Sequence, residues 1–472
     1  MAGSLGYNMR VQAGGGIYFV FVAAVFFIYW ACSGSRLLRL TVILLANYLF
    51  CAHFGLFYVV LIPACSTLDY LIGLGLMRFD GPAVRKLLVG ISIGVNLGVL
   101  AGSRHMGWIL SHSGAGASRW DWVFPLGLSF YVFQSLTYTI DLYRRDGAGT
   151  SSLLAYLSAA SFFPTMQAGP ITRVTELIRQ FAARPVLSRT DGGRALFLIG
   201  LGILKKVLIA DYLADNLVNR VFDTPNLYSG AEALIAVYGY SLQLYFDFSG
   251  YTDMARGAGM LLGIRLPINF DRPYRSASVT EFWRRWHLSF SNWLRDYLYF
   301  SLPGARTKIM PYLNLVITMV LGGLWHGVSW TFAIWGLLHG TALAATRAVQ
   351  RARGRSRQPS SPVRRALAIF CTYHFVCLTW VFFRAASVSD AMALLGRIGS
   401  LTVGLENVTA SLAAVLLLGA AALFVSQRWY TRAMEGFAGS PFYVHAVVLL
   451  LVVVAIQFLG GRAAAPFVYS RF

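Results

Sequence analysis

Two histidines in this sequence have the type and setting needed for proton-transfer chemistry. His326 lies in a long apolar stretch from about Pro311 to Ala345, within the run Gly322-Gly323-Leu324-Trp325-His326-Gly327. An ionisable side chain at membrane depth is costly, so such residues usually line a cavity or a pathway. His287 lies upstream, in the run Phe282-Trp283-Arg284-Arg285-Trp286-His287. We predict that this pair forms the chemical centre of a membrane-embedded enzyme.

The surroundings of His326 favour a neutral imidazole. Burial disfavours the imidazolium cation, and a neutral ring at physiological pH is ready to accept a proton. The neighbouring glycines permit a close backbone approach, or a break in the helix where a ligand can enter. A purely structural role remains open for each histidine. His326 could be a buried histidine bonded to a backbone carbonyl, and His287 could serve only in packing at the membrane interface. We expect packing for His339, and no metal site is predicted because HExxH-type spacing is lacking.

A second group of polar residues interrupts an apolar segment between Tyr240 and Asp253. Gln243 and Asp247 are four residues apart and share a face if the segment is helical, and we expect Gly250 to end that helix. Buried carboxylates need partners. A structural ion-pair network and a substrate contact remain equally open. Arg256, Arg272 and Arg284 are available nearby in sequence as partners.

Residues 265–310 are too polar to span a membrane. From Thr280, a good N-cap, we predict one amphipathic helix with Trp283, His287, Phe290 and Leu294 on a single face. Arg284, Arg285 and Arg295 fall away from that face, and the mixture of Trp and Arg suits a membrane interface. The spacing therefore turns His287 toward the interior.

The composition places these residues in a polytopic membrane protein. The chain is 57% hydrophobic and 12% charged, with a mean hydropathy of +0.60, whereas soluble domains are nearer a quarter charged. The apolar blocks are long enough to cross a bilayer as helices, and the alternation of a barrel is lacking. We predict an all-α polytopic integral membrane protein with eleven or twelve membrane helices. The candidate spans are 17–32, 37–62, 87–102, 122–140, 151–169, 194–219, 232–249, 311–326, 328–346, 366–383, 409–426 and 442–460. Among them, 151–169 and 232–249 are the candidates for short or re-entrant segments.

The positive charge is interpreted as a marker of topology. The formal net charge is +21, and residues 347–365 carry seven arginines and no acidic residue. Cytoplasmic loops are enriched in Lys and Arg, so we predict that 347–365 is a basic cytoplasmic loop. Attraction of a polyanion to this loop remains an alternative. Nucleic-acid binding is excluded as a function class because no basic domain stands apart from the apolar segments.

A series of long motifs resembles the membrane-bound O-acyltransferase family, in particular its bacterial polysaccharide-acetylating branch. The motifs occur in order over roughly residues 120–345. They are Phe124-Pro125-Leu126-Gly127-Leu128-Ser129-Phe130-Tyr131-Val132-Phe133-Gln134, Ser161-Phe162-Phe163-Pro164, Ala168-Gly169-Pro170-Ile171, Gln243 through Ala255, Glu281 through His287, Asp296-Tyr297-Leu298-Tyr299 and Gly323-Leu324-Trp325-His326-Gly327. Several long motifs in series make a chance match untenable.

The resemblance implies a single domain over residues 1–472, with membrane, re-entrant and interfacial helices around a central channel. It implies that His326 is the essential histidine and His287 a second one. It also implies acyl transfer, with acetyl the expected group, from a cytosolic thioester such as acetyl-CoA, and no permanently bound cofactor. We assign channel lining or structural support to Gln243, Asp247, Ser249, Asp253, Trp283, Arg284 and Trp325.

The expected partners are the lipid bilayer, the thioester donor and an acceptor hydroxyl in an exported polysaccharide. That hydroxyl is reached directly or through a periplasmic relay protein resembling SGNH hydrolases. The expected location is the bacterial inner membrane. Two other functions remain open, namely transfer of D-alanine from an acyl carrier protein within the same family, and a proton-coupled transporter or glycan-export subunit with His326 as a relay.

Overall fold

The computed structural model describes residues 16–52, 55–112, 126–304, 307–352 and 361–459, and these residues contain helices and loops but no strand. The prediction of an all-α membrane protein is confirmed. In the first half of the chain the helices are α1 Gly16–Ala31, α2 Arg36–Ala52, α3 Leu56–Arg78, α4 Pro82–His112, α5 Leu126–Arg144, α6 Leu153–Ala160, α7 Phe163–Met166, α8 Val174–Ala182, α9 Arg189–Leu204 and α10 Asn219–Asp223.

The second half contains the helices that carry the predicted site. They are α11 Gly230–Leu261, α12 Val279–Trp283, α13 Leu288–Trp293, α14 Met310–His326, α15 Trp330–Ala352, α16 Pro362–Arg384, α17 Val388–Gly399, α18 Ala410–Leu423, α19 Gln427–Gly439 and α20 Phe442–Leu459. Within the described ranges, three π-helical segments occur at Lys205–Asp211, Ala214–Val218 and Leu294–Leu298. Short 3-10 turns occur at Pro225–Leu227, Pro273–Arg275 and Tyr299–Ser301.

Three of the described helices are individually long and apolar enough to cross a membrane, namely Phe57–Arg78, Pro82–Ser103 and Pro362–Arg384. The pair α18 and α19, bent by 97°, adds a fourth if it forms one broken span. Ile17–Ala31, Leu153–Met166 and Phe442–Val454 are apolar but shorter. The figure of eleven or twelve membrane helices stays a prediction, as does the central channel.

Several predicted boundaries are wrong for physical reasons. The candidate span 37–62 is two helices, α2 and α3, and Gly55 between them has a φ of +139°. The candidate span 151–169 is the short pair α6 and α7, in agreement with the short segment considered for it, whereas 232–249 lies within the 32-residue helix α11 and is not short. The basic segment 347–365 is not simply a loop, since α15 extends to Ala352 and α16 begins at Pro362. Residues 122–125 of another candidate span lie outside the described residues.

Gly250 does not end a helix, because α11 continues to Leu261. Its function is a close approach: a Cβ on Gly250 would lie 2.6 Å from the carbonyl oxygen of Gly202, and one on Gly202 would strike the carbonyl of Gly250 in return. Two backbones therefore pack directly against each other here, with no side chain between them.

The described helices form two compact units. The first runs to Ala195 and includes Ala255–Pro267. Its interior holds Asp69, whose carboxylate accepts hydrogen bonds from Ser92 Oγ at 2.7 Å, Asn96 Nδ2 at 2.8 Å and Ser135 Oγ at 2.7 Å. These bonds tie α3, α4 and α5 together and satisfy a carboxylate that burial would otherwise penalise.

The second unit comprises Leu196–Met254 and the chain from Ile268 onward. Within it, α14 and α15 pack against each other as a helical hairpin, and α15 also packs against α12 and α16. All the predicted site residues lie in this unit. The prediction of a single domain over residues 1–472 stays a prediction.

Candidate functional site

His326 is the last residue of α14, and Gly327 after it is extended, with a φ of −176°. The imidazole therefore lies at the C-terminal end of α14. The side chain is buried inside a cage of aromatic rings. Its ring centroid lies 4.7 Å from Trp325, 4.9 Å from Phe383, 5.5 Å from Trp335, 5.6 Å from Phe290 and 6.2 Å from Phe332.

The glycines around His326 bring α15 against α14. A Cβ on Gly323 would collide with the carbonyl oxygen of Phe332, and one on Gly336 would lie 2.7 Å from the Cα of Val320. The predicted close backbone approach is therefore present. It fixes the distance between the helix that carries His326 and the helix that supplies two of its aromatic neighbours.

His287 occupies an unusual backbone conformation. Its φ of +43° and ψ of +56° are left-handed, which is uncommon for a residue other than glycine. The predicted single helix from Thr280 is consequently wrong: Ser278 caps α12, the helix stops at Trp283, and α13 starts at Leu288. The predicted burial nevertheless holds, because Trp283, His287, Phe290 and Leu294 are all buried while Arg284 and Arg295 are exposed.

Asn269 holds the turn that presents His287. Its carbonyl oxygen accepts from the backbone N–H of Leu288 at 3.0 Å, and its side-chain oxygen accepts from the N–H of Ser289 at 3.1 Å. Its amide nitrogen donates to Thr252 Oγ1 on α11 at 3.3 Å. These bonds anchor both sides of the left-handed residue. Asn269 is therefore a positioning residue for His287.

Phe290 lies beside both histidines. Its ring stacks on His287 at 4.9 Å and also lies 5.6 Å from the ring of His326. Phe248 on α11 closes the other side of His287, edge to face at 4.5 Å. Burial lowers the pKa of His287 well below its usual value of 6.5, so the imidazole is neutral at physiological pH. The structure therefore brings the two predicted histidines into one aromatic cluster.

The carboxylates predicted on α11 meet two lysines. Lys205 Nζ lies 2.6 Å from Asp253, and Lys206 Nζ lies 2.8 Å from Asp247 and 2.6 Å from Asp211. Both lysines belong to a π-helical segment. This cluster has the geometry of the structural ion-pair network considered above, and it is almost completely buried.

These lysines were not predicted as partners. Of the arginines proposed instead, Arg272 bonds to the adjacent Asp271 and Arg284 is exposed. A signal was available, since the chain has only four lysines and two of them are adjacent within an apolar segment. A charged pair at such depth needs a counter-charge, and that counter-charge comes from α11.

Gln243 and Ser249 keep polar atoms free inside the unit. Both side chains are buried, and Gln243 Oε1 and Ser249 Oγ have no hydrogen-bond partner among the described residues. Buried polar atoms without partners are rare, and binding sites are one reason for them. Trp325 is buried next to His326, whereas Arg284 is on the surface of the described structure. Their assigned roles stay predictions.

His339 has the packing role expected of it. Trp283 Nε1 donates to His339 Nδ1 at 3.2 Å, so the other nitrogen, Nε2, carries the proton of the neutral ring and donates to Thr379 Oγ1 at 2.9 Å. Thr379 in turn donates to the carbonyl oxygen of Val376 at 2.7 Å. The chain of bonds joins α12, α15 and α16. These contacts are those of a structural histidine.

The described residues contain no cluster of histidine, cysteine and carboxylate groups suited to a metal ion. The site instead consists of buried imidazoles in an aromatic cluster, beside buried polar atoms and ion pairs. Such a site offers proton acceptors and hydrogen-bonding groups in a largely apolar interior.

These features define a helical membrane protein with a histidine-centred interior site. The family model described as "MBOAT, membrane-bound O-acyltransferase family" matches residues 113–389. The chain belongs to this family, and it is an O-acyltransferase. The resemblance noted in the motifs is thereby confirmed.

Individual relatives support the same family. The chain is 35% identical to the probable alginate O-acetylase of Pseudomonas putida, over 93% of this chain and 96% of the relative. It is 32% identical to the peptidoglycan O-acetyltransferase of Helicobacter pylori, over 79% and 76% respectively. It is 30% identical to the teichoic acid D-alanyltransferase of Streptococcus thermophilus, over 55% and 68%.

Proposed function

We propose that this protein transfers an acetyl group from a cytosolic thioester, acetyl-CoA being the donor we expect, to a hydroxyl of an exported polysaccharide. The observation that carries the proposal is the burial of the His326 side chain. It is buried among five aromatic rings at the end of α14, within the family's matched region. The similarity to alginate O-acetylases extends over nearly the whole chain, which favours acetyl over D-alanyl.

His326 acts as the general base in this proposal. The acceptor oxygen attacks the carbonyl carbon of the thioester while its proton passes to the imidazole. The tetrahedral intermediate then collapses, the carbon–sulfur bond breaks, and the thiol leaves after taking up a proton from the imidazolium. General-base catalysis by a positioned side chain contributes about 10²–10⁴-fold to a rate.

Other residues have supporting roles. His287 orients the thioester or stabilises the oxyanion, and Gln243 Oε1 and Ser249 Oγ bond to a substrate. The aromatic cage keeps water from the thioester, and holding two substrates together supplies much of the remaining rate. The ion pairs of Lys205 with Asp253 and of Lys206 with Asp247 hold α11, the helix that carries Gln243 and Ser249, in place.

The proposed setting is the bacterial inner membrane. The donor is supplied from the cytosol, and the acceptor is on the opposite side, either the polysaccharide itself or a serine of a periplasmic relay protein resembling SGNH hydrolases. A relay is chemically reasonable because an acyl-serine ester keeps the acetyl group activated enough for a second transfer.

Transfer of label from acetyl-CoA in membranes tests the proposal. We compare the unmodified chain with His326→Ala and His326→Gln, and with His374→Ala as a matched control. His374 bonds to the hydroxyl of Tyr238 at 2.9 Å and lies outside the aromatic cluster. At equal amounts of folded protein, the His326 variants should lose about 10²-fold or more of the activity, while His374→Ala should retain it.

The location of the label separates the alternatives. Label in polysaccharide without any added periplasmic protein supports direct transfer, whereas label in a soluble protein supports the relay. Incorporation of D-alanine but not of acetate would show that the protein transfers D-alanyl groups and that the proposed acetyl donor is wrong. Equal labelling by His326→Ala and His374→Ala would refute the role of His326 as the base.

A further inference from the structure

A pocket rich in arginine lies in the first unit, separate in sequence from the histidine cluster. Its volume is about 290 Å³. The C-terminal end of α8, the following turn and the turn after α11 form most of its wall. The lining residues are Tyr29, Glu176, Arg179, Gln180, Ala183, Arg184, Pro185, Gly263, Ile264 and Arg265.

A buried arginine lies behind this wall. Arg39 on α2 is only 6% exposed, yet it makes no ion pair among the described residues. Its Nη1 donates to the carbonyl oxygen of Ala183 at 3.3 Å, and its guanidinium interacts with the hydroxyl of Tyr29. Its Nε is buried with no hydrogen-bond partner in the described part of the chain. A buried cation in that state needs a counter-charge.

The pocket itself has an excess of positive charge. Glu176 is the acidic lining residue, and its carboxylate is engaged by Arg179 at 2.7 Å and 2.9 Å. Arg184 has no carboxylate partner among the described residues, and Arg265 feels the charge of Asp191, which is itself bonded to Arg194 at 3.0 Å. The pocket is thus lined by three arginines and one glutamate, and that glutamate is already paired with Arg179.

The walls hold this arrangement in place. Gln180 accepts from the backbone N–H of Arg265 at 2.8 Å and donates to its carbonyl oxygen at 3.1 Å. Gly263 has a φ of +74°, and a Cβ there would lie 3.3 Å from Pro185. The two lining segments are therefore pinned together at the rim of the pocket, which preorganises the guanidinium groups for a ligand.

We propose that this pocket binds a phosphate group. Guanidinium groups bond phosphate oxygens in pairs, and the tetrahedral oxygens of a phosphate can be reached by several arginines from different directions, whereas the two oxygens of a carboxylate lie in one plane. The phosphate comes either from a membrane lipid headgroup or from a small molecule in the aqueous phase. This inference is independent of the acyl-transfer proposal, since binding is measured without turnover.

The test uses the full chain in phosphatidylcholine nanodiscs, with inorganic pyrophosphate as the soluble probe and added phosphatidylglycerol as the lipid probe. The variant is Arg184→Gln with Arg265→Gln, both exposed residues. The matched control is Arg428→Gln with Arg432→Gln, which removes two exposed arginines from α19. The readouts are the Kd for pyrophosphate and the shift of the thermal unfolding midpoint with phosphatidylglycerol.

A hydrogen bond between charged groups contributes about 1.5 kcal/mol or more to binding, so each lost arginine should raise the Kd for phosphate about tenfold. A Kd for pyrophosphate that rises in the pocket variant but not in the control supports a soluble ligand. A lipid-dependent shift lost only in the pocket variant supports a headgroup. The proposal is overturned if neither readout separates the two variants, or if glucuronate binds as tightly as pyrophosphate.

Discussion

The imidazole of His287 stacks on the ring of Phe290, with centroids 4.9 Å apart and planes inclined by 24°. Phe290 is one turn away in sequence, and it also lies 5.6 Å from His326. One aromatic side chain therefore contacts both histidines of the site, and their geometry depends on it.

Phe290→Leu should reduce kcat more than it raises KM. Leucine keeps an apolar side chain but loses the flat face, and aromatic pairs of this kind contribute about 0.5–1.5 kcal/mol each. Misplacing a reacting group by about 1 Å can cost on the order of 10²-fold in rate. Steady-state acetyl transfer measures both constants. Phe300→Leu, on an exposed ring, is the control, and equal kcat in the two variants would contradict a positioning role.

Lys206→Met should strongly destabilise the protein. The substitution leaves Asp247 and Asp211 buried without this lysine, and breaking a buried ion pair costs about 3–5 kcal/mol. Heat stability in detergent, measured by the fraction of monodisperse protein, reports the loss. Lys308→Met, at an exposed position, should have no such effect.

A second substitution separates lost charge balance from lost packing. Asp247→Asn in the Lys206→Met background removes one uncompensated carboxylate and should restore part of the lost stability. Additive losses in the double variant would argue against the pairing.

His339→Phe should lower stability while leaving transfer per folded molecule nearly unchanged. It removes the acceptor for Trp283 Nε1 and the donor to Thr379, and an unsatisfied buried group costs about 1–3 kcal/mol. The activity of purified, correctly folded protein is compared with that of His326→Phe. A complete loss of activity in well-folded His339→Phe would place His339 in the chemistry.

Stability should fall as the pH falls below about 6.5, in part because of His287. Burial lowers the folded-state pKa of His287, so only the unfolded chain takes up a proton on this ring, starting near its ordinary pKa. The folded state therefore loses stability toward acid, by at most about 1.4 kcal/mol per pH unit from one group. Unfolding midpoints at pH 7 and pH 5 check this, and a His287→Asn variant should show a smaller difference between them.

The predicted spans 311–326 and 328–346 agree closely with α14 and with the start of α15, because their apolar runs and glycines are local signals, although α15 continues to Ala352. The sequence also predicted correctly which side chains near His287 are buried. It failed on the backbone there, since nothing in a histidine's own preferences indicates a left-handed φ. That conformation is held by hydrogen bonds that the backbone N–H groups of Leu288 and Ser289 donate to Asn269. The lysine partners of Asp247 and Asp253 were missed for the same reason, because they are far away in sequence.

Gly250 illustrates the opposite error. A glycine late in an apolar run normally signals a helix end, yet α11 continues through it. A glycine is needed at this position because the backbone of Gly202 leaves no room for a Cβ, and not because the backbone of Gly250 itself has an unusual conformation. Only the tertiary structure distinguishes these two uses of a glycine.

The left-handed backbone of His287 has a consequence for how this protein can evolve. A residue other than glycine in that conformation costs about 1–2 kcal/mol, which the surrounding hydrogen bonds must offset. Replacing it with glycine would relieve that cost and remove the imidazole at once. Under the proposed function, the strained backbone lowers stability while the imidazole that it presents contributes to transfer, which is a trade-off between stability and activity.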